Sequence, residues 1–258
     1  MRLPGHFYVY TGVTFSLVLS MFSAKAQSTA DSSLKASFWN FHYQNTVITQ
    51  YHPSFSSKYS GKNSLSSSSE TSTSVTATMF FGIKLAENTR AYFNPELAGG
   101  AGFSATTGIA GFPNGEAYRV NNPSPQVYIA RLYIEHLFPL GEKKIREEDD
   151  FNQLARMKPE SYISISAGKF SVMDFFDINR YSLDPRTQFF NWSLMGNGAW
   201  DYPANTRGYT FGLTLELVKP GWVIRSAMVM VPVHANGSVM DGNLNKAKSE
   251  AGKAQSVS

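Results

Sequence analysis

Charged and amide side chains alternate with tryptophans in one polar stretch of the chain, residues 180–207. Arginine, carboxylate and amide groups form charge-assisted or bidentate hydrogen bonds to paired hydroxyls. An indole ring adds a flat apolar surface. Together these groups suit a neutral polyol such as a sugar, which carries both hydroxyls and apolar C–H faces. The candidate binding residues of this stretch are Arg180, Asp184, Arg186, Asn191, Trp192, Asn197, Trp200, Asp201 and Arg207.

Four more charged residues upstream are candidates for the same site: Glu116, Arg119, Arg131 and Glu135. Arg131 and Glu135 share one face of a predicted strand and lie about 13 Å apart at ~3.3 Å per residue. This distance is too long for a direct bond along the strand. We therefore expect each of them to face a cross-strand partner or water.

Two of these assignments have simpler alternatives. Asp184-Pro185-Arg186 also fits a plain turn, because Asp and Pro favour turns, and its ion pair would then lie at the surface and contribute about 0–1 kcal/mol. Trp200 also fits a belt of aromatic residues at a membrane interface. The sequence leaves both alternatives open.

Composition excludes several other functions. The 258 residues include no cysteine, which excludes a disulfide framework and a thiol metal site. The net charge is +4 without a dense Lys/Arg cluster, so nucleic acid is not expected as a partner. The glycines of 99–111 lack the strand–helix context of a nucleotide-binding loop. The scattered histidines lack metal-ligand spacing, and we expect no metal and no cofactor.

The first 26 residues have the pattern of a secretory signal peptide. Arg2 is followed by the apolar stretch Phe7 to Phe22 and by the A-x-A site Ala24-Lys25-Ala26, which predicts cleavage before Gln27. Beyond it no stretch approaches the ~20 apolar residues of a membrane-spanning helix. The mature chain is therefore either soluble and exported, or enters a membrane as β-strands.

Alternation of apolar and polar residues with period two predicts an all-β, antiparallel fold. In 126–138, we expect Tyr128, Ala130, Leu132 and Ile134 on the apolar face and Arg131, Tyr133 and Glu135 on the polar face. The predicted strands are 34–43, 75–85, 91–97, 126–138, 161–170, 206–217 and 222–231.

The connections between these strands alternate in length, as in bacterial outer-membrane barrels. The long ones are 44–74, 98–125 and 171–205, and the short ones are 86–90 and Pro220-Gly221. The charged segment 139–160 is an exception, which we interpret as an amphipathic or disordered excursion. Seven strands are an odd number, whereas single-chain bacterial barrels have an even one, so we expect further strands beyond this sequence.

Periodicity alone also permits a soluble fold, and two soluble alternatives remain. An exported polysaccharide-degrading enzyme would need two carboxylates about 5 to 9.5 Å apart. Glu116, Asp184 and Asp201 are available for this role, but no local motif pairs them. The other alternative is a soluble sugar-binding module.

Many separate motifs, in order along about residues 50–237, closely resemble the carbohydrate-selective porin family (OprB type). The segment 142–158 and the tail depart from that pattern. Among the motifs are Tyr51-His52-Pro53-Ser54-Phe55, Gly108-Ile109-Ala110-Gly111-Phe112-Pro113-Asn114-Gly115, Ala167-Gly168-Lys169-Phe170, Asp184-Pro185-Arg186-Thr187-Gln188-Phe189 and Asn197-Gly198-Ala199-Trp200-Asp201-Tyr202-Pro203.

The resemblance implies an outer-membrane, transmembrane β-barrel of about sixteen strands, with about half of them in this chain. Its long loops would fold into the lumen and bring the candidate residues to a constriction. The implied function is passive diffusion of mono- and disaccharides such as glucose, without enzymatic activity. The implied partners are carbohydrates, outer-membrane lipid and lipopolysaccharide, with homo-oligomerisation left open. The expected layout is 1–26 signal peptide, 27–74 first strand and polar loop, 75–240 barrel strands and loops, and 241–258 polar tail.

Overall fold

The computed structural model describes residues 37–61, 63–117, 124–195, 202–234 and 237–241. Within these ranges the chain forms eleven β-strands and three short 3-10 helices. The strands are β1 Trp39–His52, β2 Glu70–Ala86, β3 Thr89–Gly100, β4 Gln126–Pro139, β5 Lys144–Glu147, β6 Arg156–Pro159, β7 Tyr162–Phe170, β8 Thr210–Lys219, β9 Trp222–Val229, β10 Val231–Pro232 and β11 Met240–Asp241. The 3-10 helices are Phe103–Thr106, Gly108–Gly111 and Val172–Asp174.

Seven of the strands form one sheet in the order β1-β2-β3-β4-β7-β8-β9, with every neighbouring pair antiparallel. The remaining strands form two small hairpins, β5-β6 and β10-β11. The all-β antiparallel class and the seven predicted sheet strands are confirmed. The first strand runs from Trp39 to His52, well past the predicted end at 43.

The polarity of this sheet is inverted relative to a soluble protein. Along β2 the small polar residues Ser74, Thr76 and Thr78 are buried, together with Phe80. Their apolar neighbours in the alternation, among them Phe81 and Ile83, are exposed. Strand β8 repeats the pattern, with Thr210 and Thr214 buried and Phe211, Leu213 and Leu215 exposed. We call the polar side the covered face of the sheet.

A sheet with an exposed apolar face is typical of a barrel in lipid. A soluble sandwich buries the apolar face, so the sandwich interpretation does not fit. Exposed aromatic residues also lie where β1, β4 and β9 meet the short-turn end of the sheet: Trp39, Phe138 and Trp222. Such rings favour the membrane–water interface. The described residues contain no helix long and apolar enough to span a membrane.

A β-bulge in β4 corrects two face assignments. Asn94 of β3 pairs with Arg131, but the next residue, Pro95, pairs with Ile129, which leaves Ala130 unpaired. Proline lacks the N–H needed in a regular ladder and is typical of bulges. The extra residue reverses the alternation, so that Ile129 faces outward and Tyr128 lies on the covered face. The prediction that Tyr128 and Ala130 face outward was wrong, since Ala130 is completely buried, whereas Leu132 and Ile134 are exposed as expected.

The connections at the two ends of the sheet differ in length as predicted. The β2–β3 and β8–β9 connections are two residues each, 87–88 and 220–221, whereas 53–69, 101–125 and 171–209 join strands at the opposite end. The segment between β4 and β7 is not disordered. It forms the β5-β6 hairpin, whose strands pair from Lys144↔Pro159 to Glu147↔Arg156.

The expected signal peptide, residues 1–26, and nearly all of the expected tail, 241–258, lie outside the described residues. Within the part that is described, β1 and β9 form the two edges of the main sheet and are not paired with each other.

Candidate functional site

Arg186 is held by a turn that aims its side chain at the covered face. The Asp184 carboxylate accepts a hydrogen bond from the Arg186 backbone N–H at 3.0 Å. The Gln188 side-chain oxygen accepts from the backbone N–H groups of Leu183 and Asp184, at 2.6 and 3.1 Å. These bonds are local, so the sequence itself can specify this turn. Asp184 thus shapes the turn and does not pair with the Arg186 guanidinium.

The Arg186 guanidinium binds three side chains on separate elements at short distances and a fourth, Gln44 of β1, at 3.5 Å. Its Nε donates to Glu116 Oε1 at 2.7 Å, its Nη2 to Glu96 Oε2 at 2.8 Å, and its Nη1 to Thr78 Oγ1 at 2.8 Å. The side chains of Arg186, Glu96 and Glu116 are only 11%, 2% and 9% exposed. We call Arg186, Glu96, Glu116 and Thr78 the arginine cluster. The ion pairs are buried, so the surface-pair alternative for Arg186 was wrong.

Strand pairing brings the two strand members of the arginine cluster together. Thr78 of β2 and Glu96 of β3 are direct cross-strand partners on the covered face, and Thr78 Oγ1 donates to Glu96 Oε2 at 2.5 Å. The Tyr128 hydroxyl of β4 donates to the other oxygen of the same carboxylate. Glu96 was missed in the sequence, although a carboxylate on the inner side of an alternating strand was a usable signal.

The pKa values of the two loop residues of the cluster, Glu116 and Arg186, are shifted by burial and by their mutual attraction. Burial raises the pKa of the Glu116 carboxyl above its ordinary value, although Arg186 opposes this shift. For Arg186, burial alone would lower the pKa, but Glu116 and Glu96 outweigh it and hold the pKa well above its ordinary value. The guanidinium is therefore permanently charged.

Two further arginines lie on the same side of the sheet. Arg131 of β4 makes a bidentate ion pair with Asp174, with donor–acceptor distances of 2.7 and 2.6 Å. Asp174 is itself fixed by the Ser171 N–H at 3.0 Å. The Arg207 guanidinium carbon lies 3.8 Å above the centre of the Tyr128 ring. Arg186 and Arg207 thus reach strand residues from the loops, whereas Arg131 projects from the sheet to a carboxylate of the segment after β7.

One cavity of 940 Å³ lies over the covered face. Its lining includes the three arginines and the carboxylates of Glu96, Glu116 and Asp174. The cavity brings together six of the candidate residues, from the loops and from β4. They are Glu116, Arg131, Asp184, Arg186, Trp192 and Arg207. A volume in this range accommodates a small organic ligand.

Other candidates lie elsewhere. Glu135 lies on the covered face beside the β5-β6 hairpin, where its carboxylate pairs with Arg156 at 2.9 Å. Arg131 and Glu135 do not bond to each other: the partner of Glu135 lies on the strand β6, whereas that of Arg131 lies in a 3-10 helix and not on a neighbouring strand. Arg180 is exposed. The Asn191 side chain accepts from the Ser193 backbone N–H at 3.0 Å and thus stabilises a local turn.

Four candidates, Arg119, Asn197, Trp200 and Asp201, lie outside the described residues. Among the residues that the structure does describe, no group of three or more His, Asp or Glu side chains is arranged to hold a metal ion.

Comparison with known families gives a match over most of the chain. Residues 62–257 match the family described as carbohydrate-selective porin, OprB family. No curated protein and no solved structure matches the chain. The exposed apolar face of the sheet and the polar cavity on its covered face agree with this match. The chain therefore belongs to the carbohydrate-selective porin family, OprB, whose members are non-enzymatic outer-membrane channels for carbohydrates.

Proposed function

We propose that this protein is a passive, energy-independent diffusion channel for mono- and disaccharides such as glucose, and that the arginine cluster forms its constriction. The buried Arg186 guanidinium supports this proposal most directly. It joins a long loop to Thr78 on β2 and Glu96 on β3, beside a cavity of 940 Å³. A loop anchored to the barrel wall in this way narrows the lumen at a fixed position.

The pairing of charges favours a neutral solute over an ion. Arg186 faces two carboxylates and Arg131 faces Asp174, so opposite charges largely cancel within a few ångströms. Selectivity in a pore depends on the charges and hydrogen-bonding groups that line it. In this proposal, the cavity offers a sugar fixed donors and acceptors for its hydroxyls, without strongly attracting one sign of ion.

Aromatic residues supply the apolar half of sugar recognition. Trp192 and Tyr209 line the same cavity as Arg186. The Trp192 backbone N–H donates to the Phe112 carbonyl at 2.7 Å, which ties its loop to the preceding long loop. We propose Trp192 as the surface on which the C–H face of a pyranose ring packs.

We further propose that the chain is exported and lies in the outer membrane. Residues 1–26 would direct export and be cleaved before Gln27. The exposed apolar face of the sheet, with Phe81 and Leu213 among its residues, would contact outer-membrane lipid and lipopolysaccharide.

Of the candidates outside the described residues, we propose Arg119, Asn197, Trp200 and Asp201 as further lumen-facing groups.

Planar-bilayer conductance of the full-length porin tests this function. We expect open channels whose current falls when glucose is added, and swelling of proteoliposomes in glucose or maltose. Arg186→Ala should weaken the glucose block, whereas Arg180→Ala, at an exposed position, should not. Absence of channels, or channels that glucose neither crosses nor blocks, would contradict the proposal.

The two soluble alternatives are tested by the same preparation. An exported enzyme or sugar-binding module would remain monodisperse in buffer without detergent, and the enzyme would release reducing ends from a polysaccharide. The exposed apolar face leads us to expect aggregation when detergent is removed. A monodisperse protein in plain buffer would contradict the barrel.

A further inference from the structure

The β5-β6 hairpin occupies the charged segment that departs from the family pattern, and the proposed constriction does not use it. Between its strands lies a turn, residues 148–155, which we call the hairpin tip. The hairpin joins β4 to β7 at the short-turn end of the sheet, opposite the long loops that carry Arg186. The tip does not extend into solvent but contacts the covered face.

Apolar contacts seat the hairpin tip on β2. The Phe151 ring stacks on the Phe80 ring, with centroids 4.4 Å apart and planes at 15°. Leu154 is completely buried. A Cβ at Gly82 would lie 2.3 Å from Leu154 Cδ1, so the absence of a side chain at position 82 makes room for the tip.

Polar contacts attach the hairpin tip to β1. The Asn40 side-chain amide donates to Asp149 Oδ1 at 2.6 Å and to the Gln153 carbonyl at 3.0 Å. The other Asp149 oxygen lies 3.0 Å from His42 Nε2. Asn40 and His42 are two positions apart in β1 and so lie on the same face of the strand.

Buried charges anchor the two strands of the hairpin. Arg156 of β6 pairs with Glu147 of β5 and, at 2.9 Å, with Glu135 of β4. Lys158 Nζ donates to Glu147 Oε1 at 2.5 Å. Separating the hairpin from β4 would leave buried charge without a partner, which is costly. The hairpin is therefore held against three strands of the main sheet as a fixed element.

The hairpin tip also lines the cavity of the arginine cluster. Phe151 and Asn152 belong to the lining that includes Arg186, and Phe151 remains 41% exposed. Thr78, which binds Arg186, and Phe80, which stacks on Phe151, are successive residues on the covered face of β2. Their spacing is about 7 Å, so a solute that leaves the arginine cluster meets the hairpin tip next.

We propose that the hairpin tip is a fixed second constriction of the sugar path, with Phe151 as the aromatic surface that contacts the passing sugar. Short turns of bacterial barrels lie on the periplasmic side, which places this constriction on the inner side of the arginine cluster. The proposal rests on the channel function proposed above and adds a specificity-determining residue to it.

A single substitution with a matched control tests the role of Phe151. Phe151→Ala widens the constriction and removes the aromatic surface, so single-channel conductance should rise and the glucose block should weaken about 2- to 10-fold. Met157→Ala is the control, because Met157 lies on β6 of the same hairpin but is exposed and absent from the cavity lining. It should leave both quantities unchanged.

Replacement of the whole hairpin tests the constriction independently of one side chain. Residues 141–160 are exchanged for an Asn-Gly turn, which suits a direct strand connection. The variant should conduct about twofold more than the wild type and should pass a trisaccharide that the wild type retards. Heat-modifiable migration on gels verifies that the barrel of the hairpin-replacement variant has formed. If that variant does not fold, the conductance of Phe151→Ala alone tests the second constriction.

The outcomes separate this inference from the channel function. If the wild type conducts and is blocked by glucose, but Phe151→Ala behaves like the wild type and like Met157→Ala, the second constriction is overturned and the channel stands. If the wild type forms no glucose-sensitive channel, both proposals fall.

Discussion

Thr78 and Phe80, successive residues on the covered face of β2, bind elements that arrive from opposite ends of the sheet. Thr78 Oγ1 accepts a hydrogen bond from Arg186 at 2.8 Å, and the Phe80 ring stacks on Phe151 at a centroid distance of 4.4 Å. A long loop and a short-turn hairpin thus come within about two residues of each other along one strand. The two proposed constrictions of the sugar path therefore lie next to each other.

Removal of the Arg186 side chain should destabilise the loops and the sugar site together. Arg186→Ala leaves the Glu96 and Glu116 carboxylates buried without their counterion, which costs about 3–5 kcal/mol for a buried pair. We expect a lower temperature for the heat-induced shift in gel migration. Arg180→Ala, in the same loop but exposed, is the control, and an equal effect of both variants would argue against the arginine cluster.

Ion selectivity should depend on pH through Glu116. Two carboxylates and one guanidinium give the cluster a net charge of −1 when both acids are ionised. Burial raises the pKa of Glu116, so its protonation begins at a higher pH than that of an ordinary glutamate. Cation preference should therefore fall as the pH is lowered, starting above the usual carboxyl range.

Reversal potentials in a salt gradient, recorded between pH 8 and pH 4, measure this selectivity. The wild type should show a modest cation preference in the upper part of this range, and Glu116→Gln, which lacks the titrating group, should show none there. If it retains the full pH dependence of the wild type, Glu116 is not the group responsible.

Tryptophan fluorescence should report the inverted polarity of the sheet. Trp39 and Trp222 are exposed at the short-turn end, 64% and 51% respectively, whereas Trp192 lines the cavity. In bilayers with brominated lipid, variants that keep only Trp39 or only Trp222 should be strongly quenched. The variant that keeps only Trp192 should be quenched weakly, and equal quenching of all three would contradict the assignment of faces.

A side chain at position 168 should disrupt the pairing of β4 with β7. Gly168 has a φ of +139°, and a Cβ there would lie 2.3 Å from the Leu132 carbonyl oxygen. Gly168→Ala should cost about 1–3 kcal/mol through backbone strain alone, with the contact adding to it. Gly141→Ala is the matched control, because no atom lies within 4 Å of a Cβ at that position.

Refolding yield in detergent and the midpoint of urea unfolding measure this effect. We expect a lower midpoint for Gly168→Ala and an unchanged one for Gly141→Ala. A wild-type midpoint for Gly168→Ala would show that the β4–β7 register tolerates a side chain there.

The sequence determined the strands and their two faces, because alternation is a local property with a period of two residues. Thr210 to Leu217 shows this well: its apolar and polar residues lie on the faces that the pattern predicts. The Asp184 turn is equally local, since its hydrogen bonds join residues no more than five apart. The family resemblance, too, came from the residues alone.

Only the tertiary structure decided what the polar residues face. The inward position of Tyr128 depends on a bulge at Ala130, which shifts the alternation by one residue. Glu96 and Arg186 are 90 positions apart, and Asn40 lies 113 positions from Gln153. Such contacts arise from strand pairing and loop packing over long separations. For the same reason the sequence suggested an amphipathic or disordered excursion at 139–160, whereas the structure shows a hairpin in which Arg156 pairs with Glu135 of β4 and Asp149 contacts His42 of β1.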